Sequence, residues 1–136
     1  IRLVTFAFNW FSKNKVKGHI AVISSIAGTK GLGVAPAYSA TKAMQNTYIQ
    51  SLSQLARIKK ADISFTDIRP GFVATDLLNS NKHYPLLMNK EKVAKAIVKA
   101  LKSKKRVLII DWKFRMVVFF WRLIPSCIWE RISVKN

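Results

Sequence analysis

The sequence predicts an α/β fold in three layers, a parallel sheet with helices on both of its faces. Short β-branched runs alternate along the chain with apolar stripes at three- and four-residue spacing. Strands separated by helical segments pair in parallel, with their crossovers laid over the sheet. The run Ile20, Ala21, Val22, Ile23 has no polar alternation, the pattern of a strand buried on both faces. With 136 residues, half of them hydrophobic, the chain has the size and composition of one packed core.

Each element follows from local pattern. Residues 1–12 carry Leu3, Val4, Phe6, Ala7, Phe8, Trp10 and Phe11, a helical run that ends in the lysine-rich turn 13–18. Residues 19–24 read as the first strand, bounded by Gly18 and by Ser24-Ser25. Residues 27–36, with Gly28, Gly31, Gly33 and Pro36, have loop composition. No Gly or Pro interrupts 37–58, where Ala40, Ala43, Met44, Thr47, Tyr48, Ser51, Leu52 and Leu55 recur at helical spacing. Residues 61–68 alternate Ile63 and Phe65 with Ser64 and Thr66 and stop at Pro70-Gly71, as a strand entering a loop does. Residues 71–88 read mostly as loop. Asn89 is the expected N-cap of a helix with the stripe Val93, Ala94, Ile97, Val98 and Leu101, and 106–110 form a third strand.

The expected organisation is a body over 1–111 and an amphipathic helical tail over 112–136. In the tail Phe114, Val117, Val118, Trp121 and Ile124 share a face, and Arg115 and Arg122 share another. Trp112, Trp121 and Trp129 among arginines fit a helix at a membrane interface, a lid over a substrate pocket, or a subunit contact. Lys113, Arg115, Arg122 and Pro125 interrupt the run, so a spanning helix is not expected.

Charge narrows the partners. Lys and Arg number 24 against 6 Asp and Glu, a formal +18, which favours anions: nucleic acid, an acidic membrane surface or a phosphorylated cofactor. No nucleic-acid-reading motif is present and no metal site is expected. Lys90, Lys92, Lys95, Lys99 and Lys102 read as a solvated helix face. The single cysteine, Cys127, excludes an internal disulfide, reads as a small buried apolar residue, and fits a reducing compartment.

Chemistry concentrates at three residues. Tyr38 and Lys42 are four apart on the long helix, so they leave it on one face. An ammonium beside a phenol favours the phenolate and prepares the tyrosine as a proton donor or acceptor. Ser25 ends a strand, and in open α/β sheets ligands bind at strand C-termini. Its hydroxyl can donate to a substrate carbonyl as negative charge develops there, or cap the backbone of the following turn.

With GHIAVISSIAG at 18–28, YSATK at 38–42 and RPGFVAT at 69–75 in this order, the chain resembles the short-chain dehydrogenases/reductases, in their compact single-domain branch. The resemblance implies the C-terminal portion of a Rossmann-type sheet and an oxidoreductase that interconverts an alcohol and a carbonyl with NADP or NAD, the positive charge leaning toward NADP. Tyr38 would be the general acid/base and Ser25 would polarise the carbonyl. Lys42 would hold the nicotinamide ribose and lower the tyrosine pKa. Pro70 and Gly71 would admit the nicotinamide ring, Gly71 for want of a Cβ, with Phe72 beside them. Val73 and Thr75 would bind the carboxamide. The resemblance also implies a small-molecule substrate and a homo-oligomer. The single cysteine fits a cytoplasmic location, with a peripheral membrane contact through the tail as the variant.

The departures are also specific. The family's glycine-rich diphosphate turn is not in this sequence, nor is its catalytic asparagine, since Asn9 lies too close to Ser25. The rival expectation is therefore a catalytically inactive fragment, or a module that binds a membrane surface or a protein.

Overall fold

The computed structural model describes residues 1–75 and 84–132. Helix α1 (Arg2–Asn14) leads into strand β1 (Gly18–Ile23), a 3₁₀ turn (Ile26–Thr29) and the long helix α2 (Pro36–Ile58). Strand β2 (Ile63–Arg69), helix α3 (Lys90–Lys102), strand β3 (Val107–Ile109), helix α4 (Trp112–Leu123) and the short α5 (Ser126–Trp129) follow. The three strands form a parallel sheet in the order β1-β2-β3, with Gly18 opposite Ile63 and Asp67 opposite Val107. Parallel neighbours need crossovers, and α2 and α3 supply them.

Two apolar clusters lie on opposite faces of the sheet. On one face Phe8 of α1 and Ile49, Leu52 and Ala56 of α2 meet Ile20, Ile63 and Phe65. On the other, Val93 and Ala100 of α3 and Phe114 and Val118 of α4 meet Ile68, Leu108 and Ile110. Phe114 and Val118 thus belong to the same apolar cluster as β2 and β3, and the expected division at 111/112 runs through it. Val117, placed on the inner face by its spacing, is exposed, because Phe114, Val118 and Trp121 already fill the contact.

Other expectations shift in similar ways. On α2 the buried residues are Ser39, Asn46, Ile49, Leu52 and Ala56, while Met44, Thr47 and Ser51 face outward. On α3 Ala94 and Val98 are exposed, and Ala100 takes the inner position. Strand β1 is an edge strand covered on one face only: Ile20 is buried, whereas Ala21 and Ile23 are exposed. Cys127 is exposed, because α5 turns its cysteine away from Gly31 and Trp121, which Trp129 contacts.

The capping chemistry is legible residue by residue. Asn89 Oδ1 accepts from the N–H groups of Glu91 and Lys92, as an N-cap should. The first three helices run out into lysines with positive φ: Lys15 at 52°, Lys60 at 52° and Lys104 at 50°. That is the left-handed conformation in which glycine usually closes a helix. Asp111, at φ 70°, turns the chain from β3 onto α4, and its carboxylate accepts from Lys113 N–H.

Candidate active site

The candidate site lies where β1 and β2 end. Past the last paired residues the two chains stay together: Ser24 N–H donates to Ile68 O at 2.8 Å and Ile26 N–H to Pro70 O at 3.2 Å. Helix α2 passes over this pole with Tyr38 and Lys42 in its first two turns. Lys42 Nζ donates to Ile23 O at 3.2 Å and stands 5.6 Å from the centre of the Tyr38 ring. The structure therefore joins the ammonium, the phenol ring and the tip of β1, two residues before Ser25. Tyr38 is half exposed. An ammonium has three N–H donors, and the Ile23 carbonyl takes one of them.

Ser25 is buried, and its hydroxyl works on the backbone. It accepts from Ala27 N–H at 3.1 Å, capping the 3₁₀ turn, and donates to Pro70 O at 3.4 Å. The second bond is long, near the limit of useful geometry. Gly28 closes the same turn against α2. A Cβ there would lie 2.5 Å from Asn46 Nδ2 and from the Lys42 carbonyl carbon, so only glycine lets the loop approach this closely.

The segment after β2 departs from expectation at Gly71. The space a Cβ would take is filled by the Phe114 ring, 2.4 Å from the ideal Cβ position. Glycine is required here by a side chain of α4, and its bare face is not open to a nicotinamide ring. Phe72 packs into the same cluster, 6.5 Å from Phe114 and 5.1 Å from Tyr84 between ring centres. Val73 bridges to Met88, with Met88 N–H donating to Phe72 O and Ala74 N–H to Met88 O. Thr75 is exposed. Tyr38 and Thr75 are exposed and Lys42 is partly exposed, whereas the Cβ side of Gly71 is covered by Phe114 and does not fit a nicotinamide ring in the manner expected.

Sequence reading missed a buried polar network beneath the site. Asp67 is fully buried in the central strand. Ser24 Oγ donates to its Oδ1 at 2.5 Å, and Arg69 grips its Oδ2 through Nε at 2.8 Å and Nη2 at 2.6 Å. Two N–H donors of one guanidinium thus converge on a single carboxylate oxygen, and hydrogen bonds between ionised groups are stronger than neutral ones. Arg106 approaches from the start of β3 and donates to Ile49 O at 3.4 Å. Burial lowers its pKa, Asp67 opposes this, and Arg69 and Arg57 add to the lowering. The available signal was an aspartate inside an apolar strand with an arginine two residues on, hence on the same face.

A second missed feature ties α4 and α5 to the loop after Ser25. Trp121 Nε1 donates to Thr29 Oγ1 at 3.0 Å and Trp129 Nε1 to Gly31 O at 2.6 Å. Lys30 Nζ donates to Ile124 O at 2.6 Å and lies 5.5 Å from the centre of the Trp129 ring. A cleft of about 810 Å³ opens beside this clasp, lined by Lys30, Val34, Ser39, Ala43 and Trp129 among others. Ser39, Ala40 and Ala43, neighbours of Tyr38 and Lys42 on α2, are part of its wall.

Comparison with known proteins agrees with the fold. The chain is 29% identical over 116 residues to an uncharacterized oxidoreductase of Mycobacterium tuberculosis, covering 85% of this chain and 46% of that protein. It is 32% identical over 122 residues to the dehydrogenase/reductase SDR family member 7B of Rattus norvegicus, covering 80% and 37%. It thus spans about half, or less, of the length of these relatives. Among solved structures, a short chain dehydrogenase from Burkholderia cenocepacia in complex with NADP superposes with a TM-score of 0.71 at 15% identity, over 93% of this chain and 50% of that one. The apo form of LigD from Sphingobium gives 0.61 at 22% identity, over 91% and 46%. At these identities the two structures speak for the fold. The short chain dehydrogenase family model matches residues 2–85, and the chain belongs to that family of oxidoreductases.

Proposed function

We propose that this chain carries the proton-transfer half of a site that interconverts an alcohol and a carbonyl with NAD(P)(H). The observation that carries the reading is Lys42, held by Ile23 O at the tip of β1 and poised 5.6 Å from the Tyr38 ring centre. The nicotinamide would supply or accept the hydride. Tyr38 Oη gives a proton to the carbonyl oxygen in reduction and takes it from the alcohol in oxidation. The Lys42 ammonium offers its remaining N–H groups to the cofactor's ribose.

Ser25 would hydrogen-bond the substrate oxygen by exchanging its long contact to Pro70 O for a shorter one as charge develops. Thr75, an exposed residue, would bind the carboxamide through its hydroxyl. The net positive charge of the chain favours the additional phosphate of NADP over NAD. The substrate is a small alcohol or carbonyl compound, and the protein acts as a homo-oligomer in the cytoplasm.

Because the chain spans about half of its relatives, the decisive assay uses the complete protein that contains it. Tyr38→Phe should lower turnover of a ketone or aldehyde by about 10²-fold or more while NADPH affinity stays within a few-fold. Retained turnover would reject the role of Tyr38. The exposed face of β1 at Ala21 and Ile23 supports the rival reading, in which this chain alone is inactive. Calorimetric titration of the 136-residue chain with NADPH separates the two, since tight binding contradicts the rival.

A further inference from the structure

Helix α4 has two apolar faces where one would serve the fold. Its inner face, Phe114 and Val118 with Trp121, packs on the sheet. Its outer face holds Trp112, Met116, Phe119, Phe120 and Leu123, exposed at 62, 45, 57, 57 and 64%. Spacings of three and four residues place these five on one stripe directly opposite the buried one. The cations of the helix stand between the two faces. Lys113 borders the outer stripe on one side, and Arg115 and Arg122, seven apart, border it on the other. Trp112–Leu123 contains no Asp or Glu.

We infer that this outer face of α4 docks on an anionic lipid bilayer, lying in the interface without crossing it. An apolar stripe with aromatic rings, edged on both sides by long cationic side chains, places rings among acyl chains and charges among phosphates. No helix among the described residues is long and apolar enough to cross a membrane, and α4 has 12 residues. A second copy of the chain is the poorer occupant. A two-fold contact through this stripe would face Lys113, Arg115 and Arg122 with their own copies, and no acid on the helix offsets them. An acidic bilayer complements the same charges, and each cation near such a surface adds to binding.

The sequence offered Trp112, Trp121 and Trp129 for a membrane interface, a lid or a subunit contact, and the structure divides them. Trp121 and Trp129 are spent on Thr29 and Gly31, and Trp112 joins Phe119 and Phe120 outside. The inference is independent of the oxidoreductase reading, and the failure of either leaves the other standing.

The test is flotation of the full chain with phosphatidylcholine vesicles, with and without about a quarter phosphatidylserine. Binding should be at least about ten-fold stronger on the anionic vesicles and weaken as salt is raised to about 0.5 M. Phe119→Ser with Phe120→Ser should lower binding about ten-fold or more at unchanged helix content, since both rings point into solvent. Arg115→Gln with Arg122→Gln should remove most of the preference for anionic lipid. Equal binding by the serine variant, or no binding to either vesicle, overturns the proposal. So does an oligomer that the serine substitutions convert to monomer without any vesicle binding by the parent chain.

Discussion

The ring of Phe114 fills the place where a side chain at position 71 would begin, 2.4 Å from an ideal Cβ on Gly71. A residue of the segment after β2 is thus matched to a residue 43 positions on, in a helix that sequence alone assigned to a separate tail. Gly71→Ala should force the buried ring aside and destabilise the protein by about 1–3 kcal/mol. Combining it with Phe114→Leu should cost less than the sum of the two single changes, read as a coupling in urea denaturation. Additive effects would mean that the ring moves away without resistance.

Asp67→Asn should cost about 3–5 kcal/mol, because it leaves the mostly buried Arg69 guanidinium without its carboxylate. Ser24→Ala removes a hydrogen bond to the same charged group and should cost less, about 1.5–3 kcal/mol. Chemical denaturation of both variants checks the order. A loss for Asn no larger than for the alanine variant would show that Arg69 finds water once its partner is neutral.

Replacing Lys15, Lys60 or Lys104 with glycine should stabilise the fold. Holding a residue with a Cβ in the left-handed region costs about 1–2 kcal/mol. Glycine's extra unfolded-chain entropy costs about 0.5–1 kcal/mol, so the strain relief wins by a few tenths to about 1 kcal/mol per site. Thermal melting at fixed ionic strength checks the sign, and a lowered midpoint would show that the lysines contribute through contacts beyond their backbone.

Trp121→Phe keeps the ring packing near Trp129 and removes the donor to Thr29 Oγ1. The global loss should be about 0.5–1.5 kcal/mol, as for a neutral hydrogen bond. Amide exchange should rise locally in residues 28–34, which the clasp holds against α4 and α5. Unchanged exchange there, with exchange rising evenly across the sheet, would place the effect in the core instead.

Local pattern was enough for the alternation of helices and strands, the parallel sheet, the Asn89 cap and the one-turn pairing of Tyr38 with Lys42. Each depends on spacing within a few residues, where backbone geometry leaves little choice. Tertiary packing decided that Phe114 sits on Gly71, that Asp67 is buried between Ser24 and Arg69, and that α4 keeps an apolar face outside. Periodicity can say that a side chain lies on one side of a helix or strand. Which neighbour awaits it there, or whether any does, depends on elements brought together from distant parts of the chain.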